Sequence, residues 1–306
     1  MSRRGKAFPI VTLGVCVKNA ERTIGDCIDT ITRQTYSKRR IDRIIVDGNS
    51  TDKTLRIIQS ALAHARIQSR IYSDHSRGLG FARHLVVSQA KGEYVVFVDA
   101  DVELTQDFVQ KQVEFMENNL SVGASIGRYM CKRGNRISTL WGISHELAFD
   151  RFIGTDAVIF RRQALEDAGN FDTNIRGAAE DLDAFMRIKS EGWQITVNAS
   201  APFFHKCRGS LRELLTEENW FGYGNHYLLH KNKSSHLFQR YIRSTLGCVP
   251  YSLHMASKVY QTKHWKSSFA IPILFVLARI AWWGGFVRAH LAGYGHGILP
   301  NQILEE

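Results

Sequence analysis

At 306 residues the chain is long enough for one large domain or two, and its 44% apolar, 23% charged composition fits a globular protein with a full core rather than a disordered one. The net charge of +11 is uneven: from Ala201 onward 12 Lys and Arg face 5 Asp and Glu, two of them Glu305 and Glu306, which places +7 in the last third and suits an anionic membrane surface or nucleic acid as partner. The five cysteines form no C-x-x-C pair, which argues against a disulfide framework and a thiolate zinc site and fits a reducing cytosol.

The N-terminus carries basic residues but no apolar stretch before Phe8, so no secretory signal is expected. Residues 8–17 are rich in β-branched side chains and predict a first strand. Ile24, Cys27, Ile28 and Ile31 then recur at helical spacing within residues 23–35. A second strand over residues 41–46 ends at Asp47, and Ser50, Thr51 and Asp52 suit the start of the helix that buries Leu55, Ile58 and Leu62. Residues 67–72 predict a third strand, residues 80–90 a helix, and the wholly apolar run from Tyr94 to Val98 a fourth strand buried on both faces. Four alternations of strand and helix require a parallel sheet with right-handed crossovers.

A helix is expected over residues 104–119, strands near 121–129 and 157–160, and short helices over 162–168 and 178–190. Residues 193–197 predict a last strand, and residues 141–149 are ambiguous. Residues 211–230 read as helical, with Gly222 and Gly224 as candidate breaks, and 241–260 as a companion surface helix weakened by Pro250. Residues 269–287 are apolar apart from Pro272, Arg279 and Gly284-Gly285. Such a stretch serves as a buried C-terminal helix or as an interfacial or marginally spanning anchor. Arg279 near its middle would cost roughly 2.5–3.5 kcal/mol in a bilayer.

Chemistry gathers where the strands end, because open α/β sheets bind ligands beyond their carboxyl edge. Asp99 and Asp101 follow the fourth strand at i, i+2, so in extended chain both can face one hard cation; alternatively Asp101 caps the helix that follows. Asp47 ends the second strand, on the same edge if strands one to four share a sheet. Arg77 and Arg83 place two cations nearby, in a stretch that lacks the third glycine of a dinucleotide fingerprint. Glu180 and Asp181 open a helix, where acids also serve the helix dipole, and His205 follows an apolar segment as a core, surface or ligand histidine.

Taken in order, VCVKNAERTIGDCIDTITRQTY, IIVDGNSTDKT, GLGFARHLVVSQAKGEYVVFVDAD, GTDAVIFRRQALEDAGNFD and AAEDLDAFMRIKSEGW resemble family 2 glycosyltransferases over residues 8–193. The resemblance implies a GT-A fold: a Rossmann-type, mixed but mostly parallel sheet flanked by helices. It implies transfer of a sugar from a nucleotide-sugar donor with inversion at the anomeric carbon. It places Asp47 on the nucleotide base, Asp99 on the nucleoside, and Asp101 on a Mg²⁺ or Mn²⁺ ion at the donor diphosphate. Asp181 of the Glu180-Asp181 pair becomes the general base. His205 falls where some members reach the metal or the diphosphate, and Arg77 or Arg83 would assist as cations.

The chain departs from that pattern in three places. A single Asp47-Gly48 stands where two acids are common, Arg83-His84 where Arg-Asn is common, and Glu217-Glu218-Asn219-Trp220 keeps only the tryptophan of the Gln-x-x-Arg-Trp stretch of processive synthases. Addition of one sugar is therefore expected rather than polymer synthesis. A catalytic domain over residues 1–235 and a basic, apolar helical region over 236–306 are expected, with the enzyme on the cytoplasmic face of a membrane and a lipid-linked or other membrane-near acceptor. Nucleic acid is not an expected partner. The alternatives are a soluble glycosyltransferase with a non-lipid acceptor and a sugar-phosphate nucleotidyltransferase; the latter needs a Gly-rich, Lys-containing loop after the first strand, where Lys18-Asn19-Ala20 stands.

Overall fold

The computed structural model describes residues 8–66, 68–147, 154–232 and 235–296. Position 67 of the expected third strand, 148–149 of the ambiguous stretch, and Glu305 and Glu306 lie outside them. The chain divides into two compact units: residues 1–130, 150–174 and 181–205 form one, and residues 131–149, 175–180 and 206–306 the other.

Among the described residues the first unit is built on an eight-stranded mixed sheet, in the order β3 (Arg70–Ser73), β2 (Ile41–Asp47), β1 (Val11–Val17), β4 (Tyr94–Val98), β7 (Ala157–Arg161), β6 (Val122–Cys131), β8 (Gln194–His205) and β5 (Val102–Leu104). Four strands run parallel as expected: β1 (Val11–Val17), β2 (Ile41–Asp47), β3 (Arg70–Ser73) and β4 (Tyr94–Val98). Every residue of β4 is buried, as its unbroken apolar run requires. The helices between them, α1 (Ile24–Thr32), α2 (Thr54–His64) and α3 (Leu79–Ser88), bury the predicted faces, including Ile24, Cys27, Ile28, Ile58 and Leu62. The sheet then changes sense, because β7 (Ala157–Arg161) pairs antiparallel with β4, and β6 (Val122–Cys131) antiparallel with β7. Val95, Phe97, Val158 and Phe160 pack with Phe171, Phe185 and Ile188 into the core on one face.

Two differences from the sequence reading bear on the site. Leu104, expected to begin a helix, instead ends the short strand β5 (Val102–Leu104), and α4 (Phe108–Asn118) starts after Asp107. The last strand does not stop at 197: β8 (Gln194–His205) runs on and pairs antiparallel with β5, with His205 opposite Val102. That pairing supplies a partner for the backbone groups of Phe203–His205, beyond a stretch over residues 198–202 too poor in β-formers to show that the strand goes on.

The second unit is helical. Residues 136–147, ambiguous in sequence, fold as α5 (Arg136–Leu147), whose Leu140, Trp141 and Ile143 pack with Leu214, Met255, Val259, Leu274 and Ala278. α8 (Leu211–Asn232) is unbroken. Its glycines serve close approach: a Cβ on Gly222 would lie 1.8 Å from Trp282 O, and one on Gly285 1.8 Å from Asn219 O. α8 and α11 (Ile271–Leu291) thus meet backbone to backbone, which outweighs the roughly 1 kcal/mol that each helical glycine costs. The expected companion helix is two, α9 (Ser235–Leu246) and α10 (Cys248–Lys263), separated at Gly247. Pro250 stands in the first turn of α10, where its missing N–H removes no helical hydrogen bond.

Candidate active site

The acids read from the sequence gather at the carboxyl edge of the parallel strands. Val17 pairs with Asp47, and Gly14 with Phe97, so Asp47 and the turn after β4 flank the end of β1. Asp47 is buried; its Oδ2 accepts the Ser50 N–H at 3.1 Å, while Oδ1 is buried without a hydrogen-bond partner. A buried carboxylate oxygen left unpaired is costly, which leaves this atom open to a further donor.

Asp99 accepts a hydrogen bond from Arg83 Nη2 at 3.1 Å. Arg83 is buried on α3 and also donates, through Nη1, to Thr155 Oγ1. The Thr155 hydroxyl lies 3.3 Å from Asp181 Oδ2 and donates to it. A continuous polar chain therefore runs from Asp99 through Arg83 and Thr155 to Asp181, joining positions that lie 82 residues apart in the sequence. Thr155 escapes a sequence reading, because a lone threonine before an apolar strand carries no pattern.

Asp101 meets a different partner. The β5–β8 register brings His205 alongside, with its Nε2 3.5 Å from Asp101 Oδ1; both side chains are largely shielded yet reachable, at 17% and 13% exposure. The Tyr129 ring, 5.6 Å from that of His205 between centroids, packs on the imidazole. Beneath the turn, the Cys27 Sγ–H donates to Asp99 O at 3.4 Å. Burial, then the charges of Asp101 and Asp99, pushes that thiol well above its ordinary value. Carboxylate oxygens and one imidazole are a donor set that Mg²⁺ or Mn²⁺ accepts.

Arg77 is exposed, and its guanidinium stacks 3.6 Å from the Phe81 ring centroid. After α6 (Arg162–Asp167), Glu180 and Asp181 open α7 (Glu180–Ser190), with Glu180 buried, following Ala179 at a φ of 79°. A non-glycine residue in that region costs on the order of 1–3 kcal/mol, so the entry to α7 is held by its surroundings. Asp52 plays the part expected of a helix-start residue, accepting the Thr54 N–H at 2.9 Å.

With this geometry in view, residues 12–173 match the model of the family described as Glycosyl transferase family 2. The chain belongs to that family. Its relatives include the Escherichia coli chondroitin synthase, 28% identical over 70% of this chain and 30% of that protein. Another is the Bacillus spizizenii poly(ribitol-phosphate) beta-glucosyltransferase, 26% identical over 69% of this chain and 35% of that protein. The chain thus spans about a third of the length of these curated relatives. The solved structure of the mannosyltransferase PcManGT from Pyrobaculum calidifontis, in complex with GDP-Man and Mn²⁺, shares the fold with a TM-score of 0.65 at 17% identity, over 94% of this chain and 88% of that one. The GT-A fold expected from the family 2 motifs is therefore the fold observed.

Proposed function

We propose that this family 2 member is an inverting glycosyltransferase that moves a single sugar from a nucleotide-sugar donor to an acceptor hydroxyl. The observation that carries the reading is the Asp99–Arg83–Thr155–Asp181 chain beside the Asp101–His205 pair. Asp47 offers its unpaired Oδ1 to an N–H of the nucleotide base, and Asp99, held by Arg83, faces the nucleoside. Asp101 and His205, with Asp99 beside them, would hold Mg²⁺ or Mn²⁺. That ion supplies positive charge to a donor diphosphate whose own charge grows as the glycosidic bond breaks.

An acceptor hydroxyl is a weak nucleophile until a base takes its proton, a contribution of about 10²–10⁴-fold. Asp181 is assigned that role: Thr155 fixes one of its oxygens, and the carboxylate takes the hydroxyl proton as the new bond forms. Displacement from the face opposite the leaving group inverts the anomeric carbon. Arg83 acts by positioning Asp99 and Thr155, and Glu180 by holding the entry to α7. Arg77, stacked on Phe81, is left for an electrostatic part at the rim of the site. A transfer screen with UDP-, GDP- and dTDP-sugars and Mn²⁺ tests the reading: wild type is expected to transfer, and Asp101→Ala and Asp181→Asn are not. Transfer undiminished in both variants overturns it.

A membrane-near, lipid-linked acceptor on the cytoplasmic face is supported by the surface of the helical unit. In this reading residues 1–235 carry catalysis and 236–306 the membrane contact. Among the described residues, 266–291 form the one helical stretch long and apolar enough to cross a bilayer, and 33% of its most apolar window is buried within the protein. Ile273, Ile280 and Val287 recur every seven residues as an exposed stripe, and Phe238, Ile242 and Leu246 every four on α9. Lys258, Lys263 and Lys266 stand near these stripes in the sequence and suit anionic headgroups. The charge of Arg279 is turned inward, toward Glu218 and the Trp282 ring 5.5 Å away, so a stripe of α11 can lie in the interface without burying it in lipid. Sedimentation with phosphatidylglycerol vesicles is expected for wild type and is expected to fall in Leu246→Glu/Ile280→Glu. Equal sedimentation of the two, or none of either, removes the membrane reading and leaves the transferase reading standing.

A further inference from the structure

Four histidines of the helical unit converge outside the site just described. His226 and His230 stand at i, i+4 on one face of α8, His290 lies in the last turn of α11, and His296 follows it. The turn that returns His296 to the cluster runs through Gly293 and Gly295, at φ of 67° and 91°, where a side chain would be strained. One ligand atom from each ring lies within 4.8 Å of every other.

Three of the six nitrogen–nitrogen separations are those of a coordination sphere, and the others lie within 4.8 Å. His226 Nε2 lies 3.2 Å from His230 Nε2 and 3.3 Å from His290 Nδ1, and His296 Nε2 lies 3.4 Å from the same His290 nitrogen. Four nitrogens at about 2.0–2.1 Å around a tetrahedral Zn²⁺ are separated by about 3.3–3.4 Å.

Hydrogen bonding alone does not satisfy this arrangement. His226 Nδ1 sits 2.8 Å from Tyr294 O, and a carbonyl only accepts, so Nδ1 carries the hydrogen. The opposite nitrogen, Nε2, serves one neighbour whether it bears a lone pair or a proton, yet two ring nitrogens approach it. A cation among the four accepts every lone pair at once. The hydrogen bond from Nδ1 to a backbone carbonyl is also the support that metal-bound histidines commonly have, since it fixes the tautomer and the ring orientation. The Tyr223 ring stacks on Tyr294 at 4.7 Å, holding that carbonyl in place.

We propose that His226, His230, His290 and His296 form a closed, four-coordinate Zn²⁺ site that fastens the end of α8 to the end of α11 and the turn beyond it. With all four positions taken by protein nitrogens, no place is open for water or substrate, so the site is structural. Imidazole suits late first-row ions, and cobalt serves as the spectroscopic probe.

The test uses the full, tag-free chain, stripped with EDTA and dialysed against Zn²⁺, with metal counted by mass spectrometry and the melting temperature recorded with and without Zn²⁺. One zinc per chain, a higher melting temperature with zinc, and intense visible bands of tetrahedral geometry with Co²⁺ are expected. In His290→Gln/His296→Gln, where both replaced rings are exposed, zinc affinity is expected to fall by more than about 100-fold, with the helical circular dichroism retained. Should that variant not fold, His296→Gln alone is the one read. Asp101→Ala is expected to keep its zinc, which separates this site from the acids of the sheet. Wild-type protein without stoichiometric zinc, a variant that binds as wild type does, or zinc lost in Asp101→Ala overturns the proposal.

Discussion

His205 Nε2 lies 3.5 Å from Asp101 Oδ1 because β8 runs to its last residue against β5. If the pair holds the divalent ion, His205→Ala leaves Asp101 with fewer partners for it. The Mn²⁺ concentration for half-maximal transfer is expected to rise at least about tenfold, and further in Asp101→Asn. Titrating transfer with Mn²⁺ at saturating donor measures this; an unchanged midpoint in His205→Ala removes the histidine from the ligand set.

Asp181→Asn keeps the shape of the side chain and removes the proposed base. Turnover is expected to fall by about 10²–10⁴-fold while donor binding, followed by calorimetry, stays near wild type. Thr155→Val removes the hydroxyl that donates to Asp181 and receives the Arg83 contact. A smaller loss is expected there, in kcat rather than in KM for the donor, because the carboxylate loses the contact that orients it. A loss confined to KM for the donor removes Thr155 from the positioning of Asp181.

How far this site was legible depended on whether its parts carry pattern of their own. Asp99 and Asp101 announce themselves, since Tyr94 to Val98 are apolar throughout and then stop at two acids. The parallel order of the first four strands follows from alternation, and it delivers Asp47 to the same edge. His205 was harder. Residues 198–202, Asn-Ala-Ser-Ala-Pro, have little β preference, and their strand continues by pairing with a three-residue partner too short to show a period. Gly222 misled for a related reason: propensity marks it as a break, but tertiary contact with Trp282 uses its missing side chain. Arg77, near the site in sequence, is stacked on its own neighbour Phe81, a local choice that spacing does not reveal. His226 and His230 did carry a signal, an H-x-x-x-H pair on one helix face, which gains meaning only when His290 and His296 are seen beside it.

The unpaired Oδ1 of Asp47 predicts where donor affinity resides. A hydrogen bond to a charged acceptor is worth about 1.5–3 kcal/mol, so Asp47→Ala is expected to weaken donor binding by roughly 10- to 150-fold. The effect belongs mainly in KM, since the base of the nucleotide is remote from the bond that breaks. Kinetics with the donor varied would show it; a loss confined to kcat contradicts the assignment.

Glu218 gives the helical unit a pH dependence. Burial first, then the charge of Glu217, pushes its carboxyl up to about 7, against the opposing pull of Arg279. The folded state then holds a proton that the unfolded chain releases near 4.5, so this stabilising term is full below about 4.5 and is lost as pH rises through about 7. The gap corresponds to about 3 kcal/mol at full burial and nearer about 2 kcal/mol for a half-buried side chain. Glu218→Gln is expected to gain stability over wild type as the pH goes from 5 to 8, measured by urea unfolding at each pH; parallel curves for the two proteins dismiss the effect.

Gly285 sets how closely α8 and α11 approach. A methyl group there would stand 1.8 Å from Asn219 O, backbone that cannot swing aside. Gly285→Ala must therefore separate the helices, loosening the Asn219 Nδ2 to Ala281 O hydrogen bond of 3.1 Å on the same contact. A loss of about 1–3 kcal/mol or more is expected, seen as a lower melting temperature. Gly284→Ala is the control, since the nearest atom to its added methyl is the Asn219 Nδ2 at 3.4 Å, at the end of a side chain. There helix propensity should prevail and stability should stay level or rise slightly. If both variants melt alike, the backbone contact is not what holds the pair together.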